Sequence, residues 1–356
     1  MISEGMTART GLAVLAAGLT LAAAQAGAAE IRVLNWQGYG TDESWAVEAF
    51  SEATGHEVVH DYFNSEQEML TKLRTNPGAY DVVLINSAFM PTAIGEGLIE
   101  PIDPESIDNF PDLSPSLRDA PVLSDAGDLY GIAWLWGVTS FAVNTDVFEE
   151  IPASIQVLWD PEHEGRVGWR DDAVESIQLA AIATGQDMND PQDMDAIREK
   201  LLALGPQIRT FWSSEDEWNK AMSSGQFDLA TYWSGSAARS ATAFGLPVEF
   251  VIPEEGAIGW FDALTVAAGS SNPDVAAAFI DWMVDPEFYV EWDTRVGAPV
   301  SSNTMAVAAL PDDAINKTVF GDPAVSERIT FMEPMSDDRR EQWLELWQEV
   351  KTEFLN

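Results

Sequence analysis

The sequence predicts an α/β fold in which two lobes face each other across a cleft. Strand-like and helix-like segments alternate along most of the chain, and this alternation occurs in two separate units. Two long apolar runs, Leu129 to Asn144 and Ala257 to Ala268, are expected to cross between the units. A chain that crosses twice between two lobes encloses a cleft, and hinged lobes can close over a small molecule. This architecture indicates a binding protein more than a catalyst.

The first 28 residues have the pattern of a secretory signal peptide. Arg9 precedes the apolar run from Gly11 to Ala24, and the small residues up to Ala28 fit a cleavage site. No other stretch reaches the roughly 18 apolar residues of a spanning helix. The chain has no cysteine, so no thiol near the cleavage site can carry a lipid. We therefore expect a periplasmic, monomeric protein without a lipid anchor.

Composition limits the possible partners. The sequence of 356 residues has 59 acidic and 18 basic residues, which is a net charge of −41. Such a surface repels nucleic acid and anionic lipid and attracts cations. A saline habitat explains a wholly acidic surface more simply than one ligand does. The charge therefore permits a cationic ligand without requiring one.

The elements of each unit follow from hydrophobic periodicity and from helix start and stop signals. In the first unit we predict strands at 31–35, 57–62 and 80–86 and helices at 42–54, 65–76 and 87–96. In the second we predict strands at 167–169, 208–211, 228–232 and 248–252 and helices at 173–184, 195–204, 215–223 and 236–244. Later helices are predicted at 273–284, 286–295 and 337–354. The first lobe would comprise residues 29–139 and 260–305, and the second residues 140–259 and 306–356.

An acidic cluster stands at one strand-to-helix junction of the second unit. Asp172 and Glu175 follow the short apolar run that ends at Trp169 and open an apolar helix. Asp172 could be the N-cap of this helix and Glu175 its capping-box partner. Alternatively, such junctions face ligand clefts in α/β sheets, where two carboxylates could bind one cation. The junction by itself leaves both interpretations open.

Aromatic residues occur where ligand clefts are expected. Trp36 and Tyr39 follow the first strand, and Trp233 ends a strand of the second unit. Trp260 and Asp262 are two residues apart on a predicted strand, so their side chains share a face. An alkylammonium is attracted by an aromatic face and, once buried, needs a carboxylate partner. A ligand with two cationic ends would need two acidic poles joined by an aromatic path.

The order of these motifs resembles the periplasmic polyamine-binding proteins, the spermidine/putrescine receptors of ABC importers within extracellular solute-binding protein family 1. The resemblance extends over the whole mature chain, and the matching segments are Asn35-Trp36 with Tyr39, Tyr80-Asp81-Val82-Val83, Trp136-Gly137-Val138-Thr139 with Val143-Asn144, Leu158-Trp159-Asp160-Pro161-Glu162, Asp171-Asp172-Ala173-Val174-Glu175, Trp233-Ser234-Gly235-Ser236 and Trp260-Phe261-Asp262. It implies a bilobal periplasmic-binding-protein fold of type II, a polyamine ligand, a permease partner in the inner membrane, and no cofactor.

The resemblance also implies a set of ligand-binding residues. By position these are Trp36, Tyr39, Asn86, Ser87, Asp172, Glu175, Trp233, Trp260, Asp262 and Glu333. Asp172 and Glu175 would hold one amine and Asp262 another, and Trp233 and Trp260 would enclose the alkyl chain. Two positions depart from the family, since Ala88 and Ala298 stand where aromatic residues are frequent. The departures leave the preferred polyamine open.

Other functions fit the sequence less well. A quaternary ammonium such as choline or a betaine would suit an aromatic cage but would need fewer carboxylates. A sugar would be a poor match for three acidic groups, and a glycosidase would need a defined acid and base pair. A ferric-ion receptor would need adjacent tyrosines and a histidine, whereas His56, His60 and His163 show no metal-ligand spacing. The sequence therefore predicts a binding protein that is not an enzyme and binds no metal.

Overall fold

A computed structural model describes residues 28–312, 314–318, 320 and 323–354. The predicted signal peptide therefore lies outside the described residues, except for Ala28. Within the described ranges, no helix has the length and apolar character needed to cross a membrane.

The first part of the chain alternates strands and helices as predicted. Its elements are β1 (Glu30–Asn35), α1 (Ser44–Thr54), β2 (Glu57–Tyr62), α2 (Glu66–Thr75), β3 (Val82–Asn86), α3 (Met90–Gly95), β4 (Ile99–Glu100), α4 (Pro115–Arg118), β5 (Ser124–Asp125), β6 (Asp128–Leu129) and β7 (Ile132–Asn144). The predicted helix at 87–96 begins instead as a 3-10 turn over Ser87–Phe89, because the Asn86 side chain caps the N–H of Ala88 and starts a tighter turn.

The second part repeats the alternation. Its elements are β8 (Val167–Arg170), α5 (Ala173–Ala183), α6 (Met194–Ala203), β9 (Ile208–Trp212), α7 (Glu215–Ser223), β10 (Leu229–Trp233), α8 (Ser234–Thr242) and β11 (Val248–Val251). The remaining elements are β12 (Ala257–Ala267), α9 (Pro273–Val284), α10 (Pro286–Arg295), β13 (Val300–Ser301), α11 (Thr304–Ala309), α12 (Ile315–Thr318), α13 (Pro323–Ser326), β14 (Ile329–Phe331) and α14 (Asp337–Glu353).

The two lobes share one continuous path of strands in the order β2-β1-β3-β12-β7-β10-β8-β9. Strands β2, β1 and β3 are parallel, and so are β10, β8 and β9. The long strands β12 and β7 lie between these two sets and pair with each other antiparallel. We call the half that contains β1 to β3 the first lobe and the half that contains β8 to β10 the second lobe. The predicted α/β fold and both predicted crossings are confirmed.

Each crossing strand contributes to two hydrophobic cores. On β7, Trp134 and Leu135 belong to a core of the first lobe, whereas Phe141 and Val143 belong to a core of the second. On β12, Ile258 lies in the second-lobe core and Leu264 in the first-lobe core. Each of these strands therefore passes from one lobe to the other within a few residues of its middle.

The packing bears on the proposed lobe boundaries. The predicted boundaries between the lobes, at 139/140 on β7 and at 259/260 on β12, each fall between residues that belong to the cores of different lobes. Ala306 and Leu310, however, are buried in the first-lobe core. We therefore propose that the first lobe extends to at least residue 310 rather than ending at 305.

Helix α5 begins at the acidic junction. Asp172 has extended backbone and its Oδ1 accepts from the N–H of Glu175 at 2.9 Å, so the N-cap interpretation is confirmed. Glu175 is not the reciprocal partner of a capping box, because its carboxylate accepts instead from Trp233 Nε1 at 3.1 Å. One acid of the pair thus stabilises the helix and the other turns toward β10.

Removing the cap should destabilise the protein. For Asp172→Ala we expect a loss of about 1 kcal/mol in the free energy of unfolding, because the N–H of Glu175 loses its acceptor. Urea unfolding followed by circular dichroism measures this. Asp172→Asn is the matched control, since an asparagine also caps and should retain the stability. Equal stability of Asp172→Ala and the wild type would contradict this role.

Candidate functional site

The central group of the candidate site is the carboxylate of Asp262. It lies on β12 directly opposite Asn86 of β3 and is 5% exposed. Its Oδ1 accepts from Asn86 Nδ2 at 3.0 Å, and its Oδ2 accepts from the Tyr39 hydroxyl at 2.9 Å. Burial raises the pKa of Asp262 to about 6, although these two hydrogen bonds oppose the rise. Both donors are neutral, and the described part of the chain provides no ion pair to this carboxylate.

The loop after β1 positions Tyr39. Asn35, the last residue of β1, donates from Nδ2 to the Tyr39 carbonyl at 3.1 Å and to Thr41 Oγ1 at 2.7 Å. The Tyr39 ring packs edge-on against Trp134 and Trp292, with centroids 5.8 and 6.3 Å away. Burial and the Asp262 carboxylate raise the pKa of Tyr39 well above its usual value. Tyr39 therefore remains a hydrogen-bond donor to Asp262.

A second group of predicted residues lies on the second lobe. Trp233 ends β10, and its Nε1 donates to Glu175 Oε1 at 3.1 Å. Thr139 of β7 pairs with Trp233 across the sheet and lies 3.5 Å from the same carboxylate oxygen. Burial raises the pKa of Glu175. The sheet thus fixes an indole and a carboxylate side by side.

Arg170 already accompanies this acidic group. Its Nε lies 3.2 Å from Glu175 Oε2, and its Nη2 lies 3.8 Å from Asp172 Oδ2. Its guanidinium carbon lies 4.3 Å from the centroid of the Trp233 ring. The resemblance implied that both carboxylates hold a ligand amine, and Arg170 was not among the residues that it predicted. Arg170 could have been noticed in the sequence, because it is a basic residue directly at the acidic junction and the chain has only 18 basic residues.

Trp260 lies where the crossing strands meet. It pairs with Gly137 of β7, and a side chain at Gly137 would come within 2.6 Å of the Trp260 ring. Ser234 Oγ, at the start of α8, accepts from the Val138 N–H at 3.1 Å and closes the same space. Trp260 is 8% exposed, and its Nε1 is buried with no hydrogen-bond partner among the described residues. Trp260 thus lies where the two crossing strands pair, and its indole N–H has no acceptor among the described residues.

Glu66 is a second acid that the sequence analysis missed. It begins α2, where a glutamate reads as an ordinary first-turn residue, since Ser65 is the N-cap. Its Oε2 atom is buried and has no hydrogen-bond partner within the described residues. Burial and the charge of Asp262 raise the pKa of Glu66 well above its usual value, while Arg170 and Arg340 oppose the rise. This electrostatic coupling joins Glu66 to the charged groups of both lobes.

The remaining predicted residues have different positions. Trp36 is half-buried and packs on Phe63, with ring centroids 4.6 Å apart. Ser87 is buried beside Asn86, and its Oγ has no partner in the described structure. Glu333 is exposed; its backbone N–H donates to Asn189, and no hydrogen bond or ion pair of the described residues joins its carboxylate to the other predicted residues.

The two departures from the family have structural correlates. Ala88 is buried, and the neighbouring Phe89 carries the guanidinium of Arg340 at 4.2 Å from its ring. Ala298 is fully buried, its N–H donates to Asp293 Oδ1 and its carbonyl accepts from Asn316. Ala298 is therefore part of a buried hydrogen-bond network. Next to Ala88, by contrast, the Arg340 guanidinium lies over the Phe89 ring.

The structure thus brings Tyr39, Asn86 and Asp262 together on the first lobe, and Asp172, Glu175 and Trp233 on the second. Trp260 lies on the strand that joins them. Among the described residues, no group of three or more His, Cys, Asp or Glu side chains could hold a metal ion. The fold and the site define a solute-binding protein with two lobes and charged groups of both signs.

Comparison with known proteins identifies the family. A model described as "Bacterial extracellular solute-binding protein" matches residues 45–319, and the chain belongs to this family. A spermidine/putrescine-binding periplasmic protein of Salmonella typhimurium is 31% identical over 295 residues, which are 82% of this chain and 83% of that protein. A putrescine/cadaverine-binding protein of Pseudomonas aeruginosa is 26% identical over 95% of this chain and 98% of its own.

Solved structures share the fold. The substrate-binding protein of a spermidine/putrescine ABC transporter from Streptococcus pneumoniae superposes with a TM-score of 0.78 at 23% identity, over 92% of this chain and all of the other. A putative spermidine/putrescine ABC transporter protein of Listeria monocytogenes gives a TM-score of 0.80 at 24% identity, over 90% and 98% of the two chains. The predicted bilobal periplasmic-binding-protein fold is confirmed.

Adding one methyl group at Gly137 should disturb the site. We expect Gly137→Ala to push Trp260 from its position and to cost about 1–3 kcal/mol of unfolding free energy, because the added carbon overlaps the ring. Urea unfolding measures the cost, and near-ultraviolet circular dichroism reports the tryptophan. Gly95→Ala is the control, since it is helical and has open space around it. Wild-type stability together with an unchanged spectrum of Gly137→Ala would contradict the proposed packing.

Proposed function

We propose that this protein is the periplasmic substrate-binding component of an ABC importer, which captures a polyamine of the spermidine or putrescine type between its lobes and delivers it to a permease in the inner membrane. The names of the relatives and structural neighbours support this proposal. The family is one of binding proteins, so the chain has no chemistry of its own to perform. Export by a cleaved signal peptide, the absence of a lipid anchor and the monomeric state belong to the same proposal.

The observation that carries the proposal is the buried carboxylate of Asp262. A charged group buried with only neutral donors is costly, and its pKa is accordingly raised to about 6. An ammonium group would supply the missing opposite charge and up to three N–H donors. The second acid, Glu66, has a buried oxygen that could accept another of these hydrogen bonds. The first lobe therefore presents an ammonium-binding pole.

The aromatic residues fit the rest of a linear amine. Trp260 lies two residues before Asp262 on the same strand, so their Cα atoms are about 7 Å apart. Trp233 of β10 pairs with a residue of β7 that lies two positions from the partner of Trp260, so both indoles lie on the same face of the sheet. A methylene chain can pack between such rings while its ends stay near charged groups. Because the contacts come from both lobes, ligand binding would favour the closed arrangement that a permease recognises.

A quaternary ammonium is the principal alternative. Its methyl groups suit an aromatic cage, but they cannot donate hydrogen bonds to the Asp262 carboxylate. The Asn86 and Tyr39 donors leave further acceptor capacity on both Asp262 oxygens. Choline and glycine betaine are therefore expected to bind weakly or not at all.

Neutralising Asp262 should remove amine binding. We expect tryptophan-fluorescence titrations of refolded wild-type protein with putrescine, cadaverine and spermidine to show saturable binding to at least one. For Asp262→Asn we expect affinity at least about 100-fold weaker, because the ammonium loses its buried partner.

Asp125→Asn is the charge-matched control for this titration, since Asp125 is exposed on the hairpin of β5 and β6. Its affinity should equal that of the wild type. If the polyamine affinity of Asp262→Asn is within threefold of that of the wild type, the proposed ammonium-binding role of Asp262 is contradicted. If the wild-type protein shows no fluorescence response to any polyamine, the proposed ligand class is contradicted.

Amine affinity should depend on pH. Asp262 is protonated below its pKa of about 6, and the protonated acid cannot pair with an ammonium. The amines stay charged in this range. We therefore expect affinity to rise as pH increases through 6, and to be about tenfold weaker at pH 5 than at pH 7.5. Isothermal titration at several pH values measures the profile. A flat profile between pH 5 and pH 7.5 would contradict the role of Asp262.

A further inference from the structure

Arg170 places an unused donor next to the acidic pole of the second lobe. Its side chain is 11% exposed, and its Nη1 is a buried atom with no hydrogen-bond partner among the described residues. Its Nε is close to Glu175 Oε2 but also lacks a hydrogen bond. Buried guanidinium nitrogens normally find acceptors. A ligand oxygen would supply one.

We propose that the ligand is a linear amine with an ammonium at one end and an oxygen acceptor at the other, so that its ammonium binds at Asp262 and its carbonyl or carboxylate binds at Arg170. The inference rests on the proposed function, because it requires the ammonium pole of the first lobe. It changes the expected ligand from an amine with cationic groups at both ends to one with an ammonium at one end only, which is either a polyamine masked at one end by an acyl group or an ω-amino acid of similar length.

The charges of the second lobe disfavour a second ammonium there. Glu175 and Asp172 are already accompanied by the guanidinium of Arg170, at 3.2 and 3.8 Å. That guanidinium also lies over the Trp233 ring, so one face of this indole already has a cation. An ammonium would have to approach a fixed positive charge in a partly dehydrated site, where repulsion is weakly screened. An oxygen acceptor meets a favourable field instead.

The backbone holds Arg170 in place. It is the last residue of β8, its N–H donates to Thr231 Oγ1 at 2.8 Å, and its register partner on β9 is Trp212. The guanidinium carbon lies 5.7 Å from the Trp212 ring. Because two strands and two indoles surround the side chain, it is prepared to bind before the ligand arrives.

The candidate residues of the first lobe have the charge opposite to that of Arg170. Glu66 and Asp262 are two acids of the first lobe that interact with each other, and Glu66 also interacts with Arg170. The charges of both lobes therefore act on Glu66, and the sign of charge changes from these first-lobe acids to Arg170 on the second lobe. A ligand with one positive end and one acceptor end matches this polarity, whereas a diamine matches only the first-lobe end.

The test compares ligands of matched length on the wild-type protein. Isothermal titration is performed with putrescine, N-acetylputrescine and 4-aminobutyrate. We expect N-acetylputrescine or 4-aminobutyrate to bind at least tenfold more tightly than putrescine, and the better of the two shows whether the acceptor is an amide carbonyl or a carboxylate. Tightest binding of putrescine would overturn the inference and leave the proposed function intact. If none of the three and no other polyamine binds, the proposed function fails as well.

A variant shows whether Arg170 causes the preference. Arg170→Gln should bind the acceptor-ended ligand at least tenfold more weakly than the wild type does. It should bind putrescine more tightly, since the charge that repels the second ammonium is removed. Arg209→Gln on β9 is the control, because it removes one exposed positive charge and should change neither affinity. Circular dichroism checks that both variants fold. An unchanged ranking in a folded Arg170→Gln would overturn the inference, and if that variant does not fold, the wild-type ranking decides.

Discussion

The site depends on the cost of burying charge without an opposite charge. Asp262 is held by Tyr39 and Asn86, which are neutral donors, so folding leaves an unsatisfied negative charge on the first lobe. This cost is reflected in a pKa of about 6 and is relieved by protonation or by a bound cation. The same residue therefore limits the stability of the ligand-free state and would supply the attraction for the proposed amine ligand.

The crossing strands connect Asp262 to the candidate residues of the second lobe. Strand β12 carries Asp262 and Trp260 toward β7, and β7 in turn pairs with β10, which ends in Trp233. Both β7 and β12 contribute residues to the cores of the two lobes, so these strands connect the packing of one lobe to that of the other. The close packing of Trp260 on Gly137 makes the indole part of this junction.

The acidic junction shows how one sequence motif performs several tasks. Asp172 caps α5, Glu175 accepts from Trp233, and Arg170 occupies the space between them and the indole. Of the two interpretations offered by the sequence, the capping role of Asp172 is confirmed, and the ligand-binding role stays a prediction at a junction where Arg170 already provides a cation. The overall charge of −41 conceals this detail, because cleft specificity depends on a few cations and not on the sum.

The alternation of strands and helices, the two crossings and the strand-end positions of most candidate residues could be predicted from the sequence, because hydrophobic periodicity and strand ends are local properties of the chain. The structure places the candidates on the strands or strand ends predicted for them, and these are Trp36, Tyr39, Trp233, Trp260 and Asp262. Their electrostatic partners follow only from the tertiary fold. In the sequence, Glu66 has the pattern of an ordinary helix-start residue, and only the fold shows that it interacts with Asp262. Arg170 likewise has no distinguishing local pattern, and only the fold places its guanidinium over the rings of Trp212 and Trp233. The charge neighbours of a side chain come from distant strands and helices, and burial sets the strength of their interaction, so neither follows from local sequence.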